Sequence, residues 1–191
     1  MRKEIMEWFV SIVVAVALVL LIMNFVAKPY TVMGDSMDPT LKDGERVVVN
    51  LFGYKFGDIK KGNVVVFHAT KDSDYVKRVI GTAGDNVEYK KDKLYVNGKK
   101  VDEPYLDYNE KHKQYNYITG SFKTKDLNQV NQKNTIPKDK LLVLGDNREV
   151  SKDSRSFGLI DKDQVVGKVS FSFWPLNEMK FGFDPDTNYD K

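Results

Sequence analysis

The residues of this chain with types and spacing suited to chemistry are one serine, one lysine and one dense run of charged and hydroxyl side chains. The serine is Ser36, within "YTVMGDSMDPTL" (Tyr30–Leu41). Gly34 permits unusual backbone angles or close approach of another backbone. Pro39 confines Asp38 to extended conformations. A serine on such a corner can present its hydroxyl and leave neighbouring amide N–H groups unpaired, and amides of that kind stabilise an oxyanion. A plain turn with a capping serine would use the same residues.

A serine nucleophile needs a base. The two histidines are weak candidates: His68 closes a valine-rich strand and His112 lies in a polar stretch. The other candidate lies in "DYVKRVIG" (Asp74–Gly81). On a strand, Tyr75, Lys77 and Val79 share one face and Val76, Arg78 and Ile80 the other. Each face then mixes one cation with apolar neighbours, so one cation is expected to face water. The other must snorkel, pair or lose its charge. Arginine keeps its proton in a protein, whereas a buried lysine can lose it. With an ordinary pKa of about 10.4, only about 1 lysine in 2,500 is neutral at pH 7, and moving it to about 7 costs about 4–5 kcal/mol, which desolvation can supply. If Lys77 is the buried cation it is a candidate general base; otherwise it is a surface lysine on an amphipathic strand. The third stretch, "GDNREVSKDSR" (Gly145–Arg155), gathers Asp146, Arg148, Ser151, Asp153, Ser154 and Arg155. Its hydroxyls could orient a neutral amine and its Asp/Arg pairs could brace the loop; a solvated hairpin loop would have the same composition.

The rest of the sequence must position these groups. Between Trp8 and Ala27 runs "WFVSIVVAVALVLLIMNFVA", 20 residues without a charge. A helix of that length covers about 30 Å, the thickness of a bilayer's hydrocarbon. Trp8 and Tyr30 stand near its ends, where aromatic anchors belong. The run is too long for the apolar core of a cleavable signal peptide, and "MNFVAKPY" is a poor cleavage site. Arg2 and Lys3 precede it, so a short cytoplasmic tail (1–7), a transmembrane anchor (8–27) and an extracytoplasmic domain (28–191) are expected, in the cell membrane with the N-terminus inside. Nine residues from Ala27 to Ser36 reach at most about 30 Å, which keeps the serine near the bilayer surface.

After Pro29 the texture is that of short strands: Glu45–Asn50, Asn63–His68, Tyr75–Ile80, Asn86–Lys91, Lys93–Gly98, Lys140–Gly145 and Gly167–Trp174. They show period-two or continuous β-branched patterns separated by Gly/Asp turns. No amphipathic helix of ten residues is evident outside the apolar run. The fold class expected is mainly β: one N-terminal transmembrane helix, then an antiparallel catalytic core (28–84 and 140–191) with a smaller β insertion (about 85–139).

Composition excludes several chemistries. The 191 residues include no cysteine, which removes thiol nucleophiles, disulfide scaffolds and thiolate zinc sites. No H-E-x-x-H occurs, so no metal and no cofactor are expected. The net charge of +3 comes from scattered lysines without a recognition motif, so the expected partner is anionic lipid and not nucleic acid.

Taken together, the apolar run, "SMDPTL" (36–41), "KGNVVVF" (61–67), "YVKRVIG" (75–81) and "GDNREVSKDSR" (145–155) resemble type I signal peptidases, the membrane-bound serine–lysine endopeptidases, in their short Gram-positive, staphylococcal form. Any one motif is weak; the set, in this order, is specific. The resemblance implies Ser36 as nucleophile, Lys77 as general base, Ser151 as the hydroxyl that orients the lysine, and Asp153 and Arg155 as supports of the loop. It implies the backbone N–H of Ser36 as one oxyanion donor, and signal peptides of exported preproteins, with small residues before the cut, as substrate. Some relatives carry a serine where Gly34 stands, whose hydroxyl completes the oxyanion hole, so the second donor at Gly34 is open. Relatives also often carry proline at Ala83 and aspartate at Asn63. A non-catalytic membrane-tethered β scaffold and a self-cleaving serine–lysine regulator are the competing readings. The first leaves Ser36 and Lys77 without a joint purpose. The second needs a DNA-binding module where this chain has its apolar run.

Overall fold

A computed structural model describes residues 2–51, 59–130, 134–185 and 187–189, without the side chains of residues 2 and 21–24. An N-terminal helix, α1 (Arg2–Phe25), leads into β1 (Ala27–Thr31). The helix gives way before Lys28-Pro29, where proline disfavours helical angles in the residue ahead of it, so Ala27 belongs to β1. Among the described residues no helix is long and apolar enough to cross a membrane.

The remaining strands are β2 (Arg46–Asn50), β3 (Val64–His68), β4 (Asp74–Gly81), β5 (Val87–Lys90), β6 (Lys93–Val96), β7 (Lys99–Val101), β8 (Phe122–Lys123), β9 (Lys140–Leu144), β10 (Ile160–Asp161), β11 (Val165–Trp174) and β12 (Lys180–Phe181). Two short helices intervene, α2 (Asp107–Lys111) and α3 (Ser154–Phe157). All pairings are antiparallel. The large sheet runs β1-β2-β11-β3-β4-β9-β10, with β12 on β11; the small one runs β7-β6-β5-β8. Fold class is therefore mainly β, as the alternation predicts. The sequence reading lacks β1, whose Pro29 is tolerated because β1 is an edge strand, and the two- and three-residue strands, which are too short to show a period.

The central strands of the large sheet are covered on both faces. In β3, Val64 and Val66 enter one cluster with Met37, Leu41, Val47 and Val49, while Val65 and Phe67 enter another with Val79, Leu141 and Val143. In β9, Leu142 and Leu144 pack instead with Ile80 and with Val87, Tyr89, Leu94 and Val96 of the small sheet. Strands buried on both faces read as continuous apolar runs. That environment overturns one expectation: neither cation of β4 faces water. Lys77 is 3% exposed and Arg78 1%.

Candidate active site

Ser36 sits on a loop that closes the β1–β2 hairpin. The neck is tied by Val32 N–H to Glu45 O (2.8 Å) and Gly44 N–H to Val32 O (3.0 Å). Beyond the neck, Met37 and Leu41 are fully buried in the cluster beneath and are joined by a turn from Leu41 N–H to Met37 O (3.0 Å). Burying the side chain immediately after the serine pins the turn and leaves the Ser36 hydroxyl at the surface of a groove. The charged pocket of the lysine meets it there: Lys77 Nζ lies 2.7 Å from Ser36 Oγ and donates to Val76 O (2.9 Å). Burial lowers the Lys77 pKa to about 8, against the opposing pull of the Asp153 and Asp146 carboxylates. About one Lys77 in eleven is then neutral at pH 7.

The groove of about 740 Å³ is lined by the apolar Tyr30, Val32, Met33, Val66 and Val76 together with Ser36 and Lys77. Its backbone is open for pairing. β4 pairs with β9 only from Arg78 onward, so Asp74–Lys77 keep one free edge. β1 is the terminal strand of the sheet and is free on its outer side. His68 turns away from the serine to Asp74 (Nδ1···Oδ1, 2.6 Å) and is exposed; His112 caps Tyr108 O (2.8 Å). Neither histidine serves as base to Ser36.

The sequence profile of signal peptidase, peptidase S26, matches residues 5–174. The chain belongs to the signal peptidase family. It is 66% identical to signal peptidase IB of Staphylococcus aureus (strain MRSA252) over 187 residues, which cover 97% of this chain and 98% of that one. It is 47% identical to signal peptidase I of Bacillus caldolyticus over 92% of this chain and 93% of the relative. A crystal structure of a signal peptidase I from Enterococcus faecalis superposes with a TM-score of 0.53 at 34% identity, over 59% of this chain and 97% of that one. Members of this family are serine peptidases that cleave signal peptides.

The signal peptidase family resemblance assigned further residues, and the structure treats them unequally. Asp153 is fully buried and accepts from Gly145 N (3.1 Å), Arg155 N (3.2 Å), Arg155 Nε (2.9 Å) and Arg155 Nη2 (2.8 Å). Arg155 also donates to Arg148 O (2.7 Å), so the pair ties the loop to itself and to the start of α3. The Ser151 Oγ is buried and makes no hydrogen bond, to Lys77 or to any other described residue. The Ser151 N–H donates to Asn147 O (3.0 Å), and its side chain lies against Gly145. Gly34 is not an available donor, because it has no side chain and its N–H is committed to Asp43 Oδ1 (2.6 Å). Its φ of +80° suits glycine. The Ser36 N–H makes no hydrogen bond among the described residues.

Further partners of the site reach it from distant stretches of the sequence. Asp146 holds Arg78 through two guanidinium bonds (Nε–Oδ1, 2.9 Å; Nη2–Oδ2, 2.7 Å) and accepts from Thr40 Oγ1 (2.6 Å). Lys180 Nζ lies 2.7 Å from the buried Glu45 and donates to Thr40 O (3.1 Å). Gly145 is needed for close approach: an added Cβ would collide with the buried Ser151 Oγ and with the Ser36 carbonyl oxygen, which Asn147 N–H holds in place. Gly145→Ala is therefore expected to displace the serine turn and lower kcat by about 100-fold, because displacements of about 1 Å at a reacting group cost that much. Peptide-cleavage kinetics at matched folded fraction check it.

Proposed function

We propose that this chain cleaves signal peptides from exported preproteins with Ser36 as nucleophile and Lys77 as general base. The observation that carries the reading is the 2.7 Å separation of Ser36 Oγ from a lysine nitrogen that burial pushes towards neutrality. The cut-site segment adds as an extended strand between Tyr30–Asp35 and the free edge of Asp74–Lys77, and the shallow apolar lining admits small side chains before the cut. Neutral Lys77 takes the Ser36 proton as Oγ bonds to the carbonyl carbon. The protonated amine then gives that proton to the leaving nitrogen as the peptide bond breaks. An ester on Ser36 remains, and Lys77 deprotonates the water that hydrolyses it. The unpartnered Ser36 N–H supplies one oxyanion donor. Asp153 and Arg155 support the loop, and Ser151, whose buried Oγ makes no hydrogen bond among the described residues, is the hydroxyl that orients Lys77 in this scheme.

The domain plan belongs to the same proposal: tail 1–7, transmembrane anchor 8–27 and an extracytoplasmic catalytic part 28–191 with residues 85–139 as insertion. The anchor reading rests on the 20 uncharged residues of the sequence, which continue through positions 21–24. It is supported by the exposure of Trp8, Phe9, Ile12 and Leu18 on α1, apolar side chains that water does not tolerate in such a run. Exposed Trp174, Leu176 and Phe181 offer a second apolar surface for the same bilayer. Lipid and preprotein are the partners of this scheme, which needs no metal, cofactor or nucleic acid.

The experiment uses the full chain in detergent micelles with a purified preprotein. Mature product should form in trans, and acid quenching should trap an ester adduct on the peptide that contains Ser36. Product formation without an adduct, and with a Ser36→Ala chain equally active, would refute the reading.

A further inference from the structure

We propose that Asn109 is a positioning residue for the serine turn, supplied by the insertion. The proposal rests on the reading of Ser36 as nucleophile. Every carbonyl of the turn is bound. Asp35 O accepts from Asp38 N (3.1 Å), Ser36 O from Asn147 N (3.0 Å) and Met37 O from Leu41 N (3.0 Å). Pro39 O and Thr40 O accept from Lys180 Nζ (3.4 and 3.1 Å). Asp38 O accepts from Asn109 Nδ2 (2.9 Å), and the same nitrogen donates to Asp146 O (2.9 Å).

The two hydrogen bonds made by Asn109 join those from Asn147 N–H to Ser36 O and from Thr40 Oγ1 to Asp146 Oδ2 in tying the serine turn to the Asp146 stretch, and of these donors Asn109 alone belongs to neither. Ser36 and Lys77 lie on separate elements, and their distance is set by how the serine turn docks on its neighbours. Lys77 is fixed by β4, where the adjacent Arg78 grips the Asp146 carboxylate. Asn109 grips the Asp146 backbone with one N–H and the serine turn with the other. It therefore braces the triangle from serine turn to Asp146 to β4 that Thr40 and Arg78 also join, and it does so from α2, an element of neither catalytic stretch. Both acceptors are carbonyl oxygens, so the group facing them must be a donor, and an amide NH2 has the two hydrogens required.

This chemistry predicts a signature that packing alone would not give. Asn109→Asp keeps shape and volume but turns two donated bonds into a carboxylate facing two carbonyl oxygens. Asn109→Ala removes the bonds without adding repulsion. In full chain assayed on a peptide carrying the cut site, Asp is expected to lower kcat by about 100-fold and Ala by about 10-fold. KM should stay within about twofold and the acidic limb of the pH–rate profile should not move, because neither groove nor Lys77 is touched. Wild-type kcat in the Asp variant, or a smaller loss for Asp than for Ala, would overturn the proposal. So would losses that merely follow the folded fraction measured by thermal unfolding. Should the Asp chain fail to fold, an Ala variant with unchanged kcat at full folding overturns it equally. A Ser36→Ala control separates the two levels: activity there refutes the nucleophile, whereas an inert Ser36→Ala beside a fully active Asn109→Asp refutes this proposal alone.

Discussion

Lys77→Met is expected to abolish cleavage and, at neutral pH, to make the protein more stable. Loss of the base should lower kcat/KM by roughly 10⁴-fold or more, the scale seen when a member of a nucleophile–base unit is removed. Ser36→Ala should fall to the same floor, and the double variant no further, since the two groups act as one device. The stability effect has the opposite sign. The folded-state pKa of Lys77 is depressed from 10.5 to about 8 by burial. Above pH 10.5 the amine is neutral in both states and carries no penalty. As pH falls from 10.5 to 8 the unfolded chain takes up a proton that the folded one resists, so folding loses free energy, and below pH 8 the full penalty applies. Its size is up to about 3 kcal/mol from the shift, less what the two Lys77 hydrogen bonds return. Lys77→Met should thus raise the unfolding midpoint at pH 7 and lose most of that advantage by pH 10.5. For the wild type, kcat/KM should rise about tenfold per pH unit up to about pH 8 and then level. A Lys77 variant that still cleaves with the same acidic limb, or that is less stable at pH 7, would contradict the assignment.

Much of this architecture was legible in advance, and what was not has definite physical reasons. The β2 pattern "RVVVN" alternates buried and exposed positions as a strand with one covered face must, and the hairpin of β5 and β6 does likewise. The rule that assigns one cation of "VKR" to water failed because β4 is covered on both faces, Lys77 meeting Ser36 of the serine turn and Arg78 meeting Asp146. A local pattern cannot report a neighbour more than 60 residues away. The pairing of Ser36 with Lys77 was readable only through the resemblance, since no spacing rule brings residue 36 to residue 77. Asp43, Asn109 and Lys180 were invisible for the same reason: each touches the serine turn through a contact that exists only after folding. Ser151 marks the reverse case, where the resemblance supplies a role and the buried Oγ makes no hydrogen bond among the described residues.

Asp146→Asn is expected to cost about 3–5 kcal/mol of stability, the largest loss of any single side chain near the site. Arg78 and Asp146 are 1% and 0% exposed. The guanidinium spends its donors on Asp146 Oδ1 and Oδ2 and, through Nη1, on the carbonyls of Gly62 and Phe183 (2.7 Å each), with the Tyr105 ring 4.1 Å away. Burial alone would push its pKa down; the Asp146 carboxylate outweighs burial and raises it. Arginine cannot escape by releasing its proton, so an amide in place of the carboxylate leaves a buried positive charge with no counter-charge and a donor facing a donor. A drop in thermal midpoint of about 10 °C follows for a catalytic part of this size. Removing both charges tests the cause: Arg78→Met with Asp146→Leu should regain most of the stability, because a buried pair and an apolar pair of similar volume are close in free energy. It should not regain activity, since the contact that registers the serine turn against β4 is then gone. If Asp146→Asn unfolds at the wild-type temperature, the pair is not the bolt between the two catalytic stretches; if the double variant is no more stable than the single one, an uncompensated charge is not what the single variant suffers.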